Sequence, residues 1–152
     1  MSDDTAEGRL DIRAEKLRRL HRDWDLRRGG RKFPARADFN PWDLKYIVGN
    51  LSLIDVLRDP LRFVFRLHAT GNAERIGVDL TGKEVAMMPT AKLAARVRAH
   101  YELVVATGAP VAQHRDGRFD ERDWDYEVLV LPLSNDGAAI NMLMSALVWN
   151  SR

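Results

Sequence analysis

The chain has 152 residues, of which 45% are hydrophobic and 30% charged, and these values are typical of one globular domain with a proper core. It has no cysteine, which excludes disulfides, thiolate metal sites and cysteine nucleophiles. The first seven residues are acidic, and no apolar stretch is suited to a signal peptide or a membrane span. We therefore expect a soluble, cytoplasmic protein.

The formal net charge of +2 is unevenly distributed along the chain. Residues 8–36 carry a net charge of +7, whereas residues 1–7 carry −3 and the remaining 116 residues carry −2. A basic segment of this kind can bind an anionic partner such as a nucleic acid, or it can be the solvated face of a helix. The second interpretation is simpler, because no helix-turn-helix is evident and few aromatic residues interleave the basic ones.

The first predicted element is an amphipathic helix in an amino-terminal arm, residues 1–33. Its apolar stripe recurs at spacings of three and four and contains Leu10, Leu17, Leu20 and Trp24. Some of these residues are seven apart, which suits a seam with a partner helix, so we predict a homodimer through this stripe. The alternative is that the stripe packs on the sheet of its own chain. Consecutive glycines at 29–30 end the helix.

A second domain, residues 34–152, follows the arm. It begins with a short helix from Pro41 to Val48, for which Asn40 is the predicted cap. Strands are predicted at 51–57, 62–69, 109–115, 125–133 and 138–148, and a tight turn at 135–137 joins the last two. The longest helix, 91–107, places Leu93, Val97, His100, Tyr101 and Val104 on one side.

The second strand has one aromatic face. Alternation places Phe63, Phe65 and Leu67 on this face, which is the natural core side. Arg66 and His68 are then expected on the opposite face, where they are either solvated or bonded to a packed helix or partner subunit.

Several motifs carry a resemblance to a known family. They are Trp24, the Pro-x-Arg-x-Asp-Phe-x-Pro run at 34–41, Leu51 to Asp55, Arg66-Leu67 with Thr70-Gly71, the 77–83 segment, and 131–134 with Asp136-Gly137. Together they resemble a stand-alone, mainly proteobacterial PAS-like family, long catalogued as a domain of unknown function, over about residues 20 to 148. The resemblance implies an α+β PAS-like fold with a five-stranded antiparallel sheet, helices on one face and an N-terminal helical extension. It also implies a sensory or regulatory role. One departure is Asn40-Pro41, where the family usually has Asp-Pro.

No catalytic motif is recognisable in the sequence. It lacks a nucleophile elbow, a phosphate-binding loop and a dinucleotide-binding fingerprint. The acidic residues between 116 and 125 are interleaved with Arg115, Arg118 and Arg122, which predicts a salt-bridged hairpin loop rather than a calcium site. No two of the four histidines have metal-ligand spacing. We therefore predict that the protein is not an enzyme and holds no metal.

We predict a ligand pocket between the sheet and the helices of residues 70–107. Its predicted lining is Phe63, Phe65, Leu93, Val97, His100 and Tyr101, which share the inward face. Some haem-binding PAS sensors carry their axial histidine on the equivalent helix, so haem through His100 is an alternative to a hydrogen-bonded core histidine. The predicted function is a sensory or regulatory domain that binds a small molecule or a protein partner in bacterial signalling. The alternative is a nucleic-acid-associated regulator that uses the basic arm.

Overall fold

The computed structural model describes residues 10–119 and 121–150, apart from the side chain of Phe119. Five antiparallel strands form one sheet in the order β2-β1-β5-β4-β3. The strands are β1 (Leu51–Leu57), β2 (Arg62–Leu67), β3 (Val111–Phe119), β4 (Arg122–Leu133) and β5 (Met142–Trp149). The α-helices are α1 (Glu15–Arg28), α2 (Thr70–Ile76) and α3 (Ala91–Thr107). The predicted α+β class and five-stranded antiparallel sheet are confirmed.

The helices cover both faces of the sheet. Along β4, Tyr126 and Val128 line a cavity together with residues of α3, and we call this side the inner face. Glu127, between them, contacts the start of α1 instead. Because successive side chains of a strand point to opposite faces, α1 lies on the other side, the outer face. α2 and α3 are the helices predicted for one face, and α1 is the predicted N-terminal extension.

The start of α1 is determined by a contact with the sheet. The Glu127 carboxylate accepts hydrogen bonds from the backbone N–H groups of Arg13 and Ala14, each at 2.8 Å. These donors have no partner within the helix, and a carboxylate at a helix N-terminus also interacts favourably with the helix dipole. α1 therefore begins at Glu15. Leu10, which the sequence pattern placed within the helix, lies before it and is half-buried against the core.

The ends of the two longer helices follow local signals in the sequence. Gly29 ends α1 with a φ of 57°, and Gly108 ends α3 with a φ of 69°, a region that glycine adopts at low cost. At the start of α3, the Thr90 side chain accepts a hydrogen bond from the Leu93 N–H at 3.0 Å.

The helix predicted from Pro41 to Val48 is replaced by separate 3-10 turns. Pro41–Leu44 forms one turn and Val48–Asn50 another. The Asn40 side chain accepts a hydrogen bond from the Trp42 N–H at 3.0 Å, which is the predicted cap. The local signal therefore starts a helical turn here, but this turn does not continue as an α-helix.

A bulge in β2 reverses the faces of its last residues. The pairing register between β1 and β2 shifts at Leu53–Ile54, and this shift leaves Arg66 as an extra residue on β2. One extra residue moves the following side chains to the opposite faces. Leu67 is consequently 45% exposed, whereas His68 is only 7% exposed. The predictions that Leu67 faces the core and that His68 lies on the opposite face are therefore wrong.

The β3–β4 hairpin is longer than predicted. β3 continues past the expected end at 115, because Asp116 pairs with Asp125 and Gly117 pairs with Trp124. Arg118 forms a salt bridge with Asp123 at 2.9 Å. Part of the predicted salt-bridged loop is thus regular hairpin, and its charged side chains lie along two paired strands.

The connection between β4 and β5 is also longer than the predicted tight turn. Residues 134–141 form a loop, and β5 begins at Met142 rather than at 138. The Asp136 carboxylate accepts hydrogen bonds from the N–H groups of Ala138 and Ala139, at 2.8 and 3.0 Å. A carboxylate that bonds to its neighbouring backbone in this way competes with strand pairing, which delays the start of β5.

Candidate ligand cavity

A cavity of about 50 Å³ lies between the inner face of the sheet and the helices α2 and α3. Aromatic side chains in its wall are Phe65, Tyr101, Trp124, Tyr126 and Trp149. Polar ones are Ser52, His68, Asn72, Arg115 and Ser145, and aliphatic ones include Leu93, Val97, Val128 and Leu147. A space of this size holds on the order of three water molecules, so a ligand as large as haem requires the walls to move.

Arg115 is the only Arg or Lys among the described residues that line the cavity, and it is 4% exposed. Its Nη1 donates to the Tyr126 hydroxyl at 3.3 Å, and its Nη2 donates to His100 Nδ1 at 2.8 Å and to Gln113 Oε1 at 3.5 Å. Nε is buried without a hydrogen-bond partner within the described part of the chain. All three acceptors are neutral groups. A buried positive charge without an anionic partner is costly, which marks this position as unusual.

His100 holds the Arg115 guanidinium in place from α3. It is completely buried, and its Nε2 lies 2.8 Å from the carbonyl oxygen of Val111 while its Nδ1 faces Arg115. Burial, together with the nearby Arg115 charge, lowers the pKa of His100 to about 4. His100 is therefore neutral at pH 7: Nε2–H donates to Val111, and Nδ1 accepts from Arg115. Neither ring nitrogen is free to bind an iron in this arrangement.

Tyr101 contributes a hydroxyl from the same helix. Burial raises the pKa of Tyr101 to about 12, although a hydrogen bond with Ser145 opposes this shift. The hydroxyl is therefore protonated at pH 7 and is able to donate a hydrogen bond. Phe63 packs edge-on against the Tyr101 ring, with the centroids 5.4 Å apart, so Phe63 supports the cavity wall from behind.

Asn72 connects α2 to the end of the sheet where β1 begins and β5 ends. Its Oδ1 accepts hydrogen bonds from Trp149 Nε1 at 3.1 Å and from Asn50 Nδ2 at 3.2 Å. The neighbouring Gly71 lies so close to the turn before β1 that a Cβ there would be 2.8 Å from the Gly49 carbonyl oxygen. A larger residue at 71 would push α2 away and open this end of the cavity.

His68 enters the cavity wall through the β2 bulge. Its Nδ1 accepts a hydrogen bond from the Leu80 N–H at 3.0 Å, and its backbone N–H donates to Thr81 Oγ1. Burial lowers the pKa of His68, which favours the neutral ring. Residues 79–83 therefore form a turn that packs over His68.

The sequence-predicted lining is partly brought together around the cavity. Phe65, Leu93, Val97 and Tyr101 line it, whereas Phe63 and His100 lie directly behind it. The sequence interpretation missed Arg115 and assigned it to a charged loop. If the strand had been continued past Gly117, its alternation would have placed Arg115 on the same face as Val111 and Gln113. In the observed register Arg115 pairs with Tyr126, which also lines the cavity.

The stripe of α1 packs on the outer face of the same chain. Leu17 and Leu20 are completely buried and Trp24 is 5% exposed, and Trp24 Nε1 donates to the Pro132 carbonyl at 2.8 Å. These residues belong to the same hydrophobic core as the strands, so the core extends across the domain boundary predicted between residues 33 and 34. This arrangement is the stated alternative to a dimer seam, in which the stripe packs on the sheet of its own chain. Several basic residues of the arm form salt bridges, namely Arg18 and Arg22 with Glu15, Arg27 with Asp43, Arg28 with Asp25, and Arg31 with Asp38.

Within residues 10–119 and 121–150, no helix combines the length and the hydropathy that a membrane-spanning segment needs. No group of three or more acidic, histidine or cysteine side chains there is arranged to hold a metal ion.

Comparison with solved structures supports the assignment of the fold. The PAS domain of BvgS from Bordetella pertussis is 13% identical, with a TM-score of 0.56, and the match covers 89% of this chain and 88% of that one. VqmA bound to DPO is 20% identical, with a TM-score of 0.54, over 66% of this chain and 52% of VqmA. This chain therefore matches about half the length of VqmA, which is a Vibrio cholerae protein.

A sensory box sensor histidine kinase from Vibrio cholerae is 14% identical, with a TM-score of 0.51, over 67% of this chain and 83% of that one. Similarities at these identities concern the fold alone. No curated protein shows a significant match in sequence. A family model described as a PAS domain matches residues 12–147, which is most of the chain. The protein therefore belongs to the PAS domain family.

Proposed function

We propose that this PAS domain is a non-catalytic sensory module of bacterial signalling that binds a small molecule in the cavity beneath α3. The observation that carries this proposal is the convergence of aromatic and polar side chains, Arg115 among them, on a cavity inside the core. Sites that bind small ligands have this composition, with mostly apolar walls and a few oriented polar groups.

The chemistry of the cavity wall supports binding rather than catalysis. A catalytic site needs a nucleophile or a proton-transfer group with a pKa near the working pH. Here His100 is neutral with both ring nitrogens engaged, and burial raises the pKa of Tyr101 to about 12. The Tyr101 hydroxyl is suited to orienting a ligand by a hydrogen bond, and His100 holds Arg115 in place behind the cavity.

The relatives of known structure agree with a ligand-binding role. VqmA is a PAS-fold protein whose structure contains bound DPO, and another relative is a sensor histidine kinase. VqmA has also been studied in complex with DNA, but this chain matches only 45% of VqmA in that structure. The salt bridges along the basic arm do not favour the nucleic-acid alternative over a solvated helix face.

Native mass spectrometry of the purified protein tests the proposal. A bound small molecule should add a defined mass to the wild type, and this mass should be lost in Val97→Phe, which fills the cavity. Val105→Phe is the matched control, because Val105 lies on the same helix but outside the cavity wall. An unliganded wild type from its native host, or a bound mass that persists in Val97→Phe, would contradict the proposal and favour signalling through a protein partner alone.

Self-association is a second part of the proposal. A sensory domain must pass its state to another molecule, and the symmetric homodimer is the commonest oligomer of soluble proteins. Such a dimer cannot use Leu17, Leu20 and Trp24 while α1 stays on its own sheet, so we expect another surface to form the contact. Light scattering of the intact protein gives the oligomeric state, and a monomer at all concentrations would rule the dimer out.

A further inference from the structure

Resting on the proposed function, we propose that the ligand is a small organic anion, a short monocarboxylate, whose charged end binds Arg115. The guanidinium is buried in the cavity wall, and its hydrogen-bond acceptors, His100, Gln113 and Tyr126, are all uncharged. No acidic side chain is among the described residues that line the cavity. A carboxylate in the cavity would supply the missing negative charge.

The donors of Arg115 leave room for such a ligand. A guanidinium has five N–H donors, and three hydrogen bonds to the surrounding side chains use the two terminal nitrogens. Nε is buried without a partner among the described residues, and one N–H of Nη1 is not used by these three bonds. Nε–H lies on the side of Nη2, away from the unused N–H of Nη1, so one carboxylate oxygen accepts from Nε–H, and a charge-assisted bond of this kind is among the stronger ones.

The Arg115 side chain is held in position before any ligand arrives. His100 accepts from Nη2 at 2.8 Å, and the ring of His100 is itself fixed by its hydrogen bond to Val111. Tyr126 lies under the guanidinium, whose central carbon is 5.8 Å from the ring centroid. Because its partners are neutral, the charge of Arg115 is not compensated and can attract an anionic ligand. Because the side chain is already in position, the entropic cost of binding is lower.

The rest of the cavity selects for a short apolar body. Leu93, Val97 and Val128 form an aliphatic side, and Trp149 contributes an aromatic one. A cavity of about 50 Å³ has no space for a long chain. An acid of a few carbon atoms therefore binds only if the aliphatic side chains move apart, and the same shape without the charge should bind far more weakly.

Titration of the intact protein with sodium butyrate and with butyramide separates charge from shape. Both probes have the same size, and Trp124 and Trp149 in the cavity wall report binding through their fluorescence. We expect butyrate to bind the wild type at least tenfold more tightly than butyramide. In Arg115→Met this preference should fall to about one, and in the control Arg118→Met, an exposed residue of the same strand, it should stay unchanged.

Arg115→Lys keeps the proposal testable if Arg115→Met does not fold. Lysine retains the charge but lacks the Nε–H donor, so butyrate should bind less tightly while its advantage over butyramide persists in part. Equal binding of the two probes to the wild type would contradict the proposal that the ligand is an anion, but a small-molecule site would still be supported. Binding of neither probe would also contradict an anionic ligand. The proposed small-molecule site would then be tested separately, by the bound mass and its loss in Val97→Phe.

Discussion

Among the described residues, each face of the sheet buries one charged side chain, and the two differ in how fully they are hydrogen-bonded. On the outer face, Glu127 is 7% exposed and accepts hydrogen bonds from two backbone N–H groups at the start of α1. On the inner face, Arg115 is 4% exposed and has one nitrogen without a partner in the described part of the chain. The outer charge is satisfied by the fold itself, whereas the inner charge requires something that the fold does not provide.

The two faces also differ in how completely the space between the sheet and its helices is filled. Beneath α1 the outer face is filled, with Leu17 and Leu20 completely buried, whereas an open groove lined by Leu51, Leu53 and Met144 lies on the same face. The inner face holds a cavity with polar groups in its wall. A layer that only stabilises the domain is expected to be filled and apolar, whereas a layer that binds a ligand keeps space and polar groups. We therefore infer that the part of the outer face beneath α1 mainly stabilises the domain, whereas the inner face is suited to recognition.

The largest expected effect tests the outer face. Leu20→Ala should lower the free energy of unfolding by about 2–5 kcal/mol, because it leaves a void between α1 and the sheet. Leu26→Ala on the same helix is the control, since Leu26 is 77% exposed and its loss should change stability by less than about 0.5 kcal/mol. Urea denaturation followed by circular dichroism measures both. Equal effects of the two substitutions would show that α1 is not packed as described.

The inner face should make stability depend on pH through His100. Its pKa is about 4 in the folded protein and about 6.5 in the unfolded chain, so the unfolded chain binds the proton first as the pH falls. Stability is therefore fully present above pH 6.5 and is lost as the pH falls towards 4, by on the order of 3 kcal/mol.

The measurement is urea denaturation between pH 7 and pH 4 for the wild type and for His100→Gln. Glutamine provides a donor and an acceptor but does not titrate. We expect the variant to lose less stability than the wild type over this range, since the carboxylates titrate equally in both. Parallel curves for the two proteins would contradict a neutral, buried His100.

A third test removes the outer charge. Glu127→Ala should lower the free energy of unfolding by about 1–3 kcal/mol, because it leaves the N–H groups of Arg13 and Ala14 without their acceptor. Glu102→Ala is a suitable control, because Glu102 is an exposed partner of Arg98 and contributes about 1 kcal/mol or less. Chemical denaturation of both variants at pH 7 decides the matter.

The smallest expected effect, and the sharpest for the comparison, comes from removing the inner charge. Arg115→Met should change the free energy of unfolding by less than about 1 kcal/mol, because relief of the buried charge offsets the lost hydrogen bonds. The same denaturation experiment applies. A loss as large as that of Glu127→Ala would mean that Arg115 stabilises the fold rather than serving a ligand.

Elements with regular periodicity could be predicted from the sequence. The inward face of α3 and the alternation of β4 follow from local spacing, so Leu93, Val97 and Tyr101 were recognisable as cavity residues. The amphipathic stripe of α1 predicted burial of Leu17, but not the surface that buries it. The spacing of apolar residues on one helix carries no information about its partner.

Other residues of the site depend on contacts between distant parts of the chain. Arg115 is surrounded in sequence by charged residues, and its burial follows from the continued pairing of β3 with β4. His68 lines the cavity because the pairing register between β1 and β2 is irregular, and no local sequence pattern predicts this irregularity. Trp149 lines the cavity from the last position of β5, beyond the predicted end of that strand.

The bulge in β2 has a consequence for how the gene can change. β2 carries one residue, Arg66, more than its pairing with β1 needs. Loss of the Arg66 codon would restore regular pairing and leave Phe65 and His68 facing inward, whereas loss of the Val64 codon would turn Phe65 outward. Among homologous genes, we therefore expect single-codon deletions in this strand to be concentrated at the bulge.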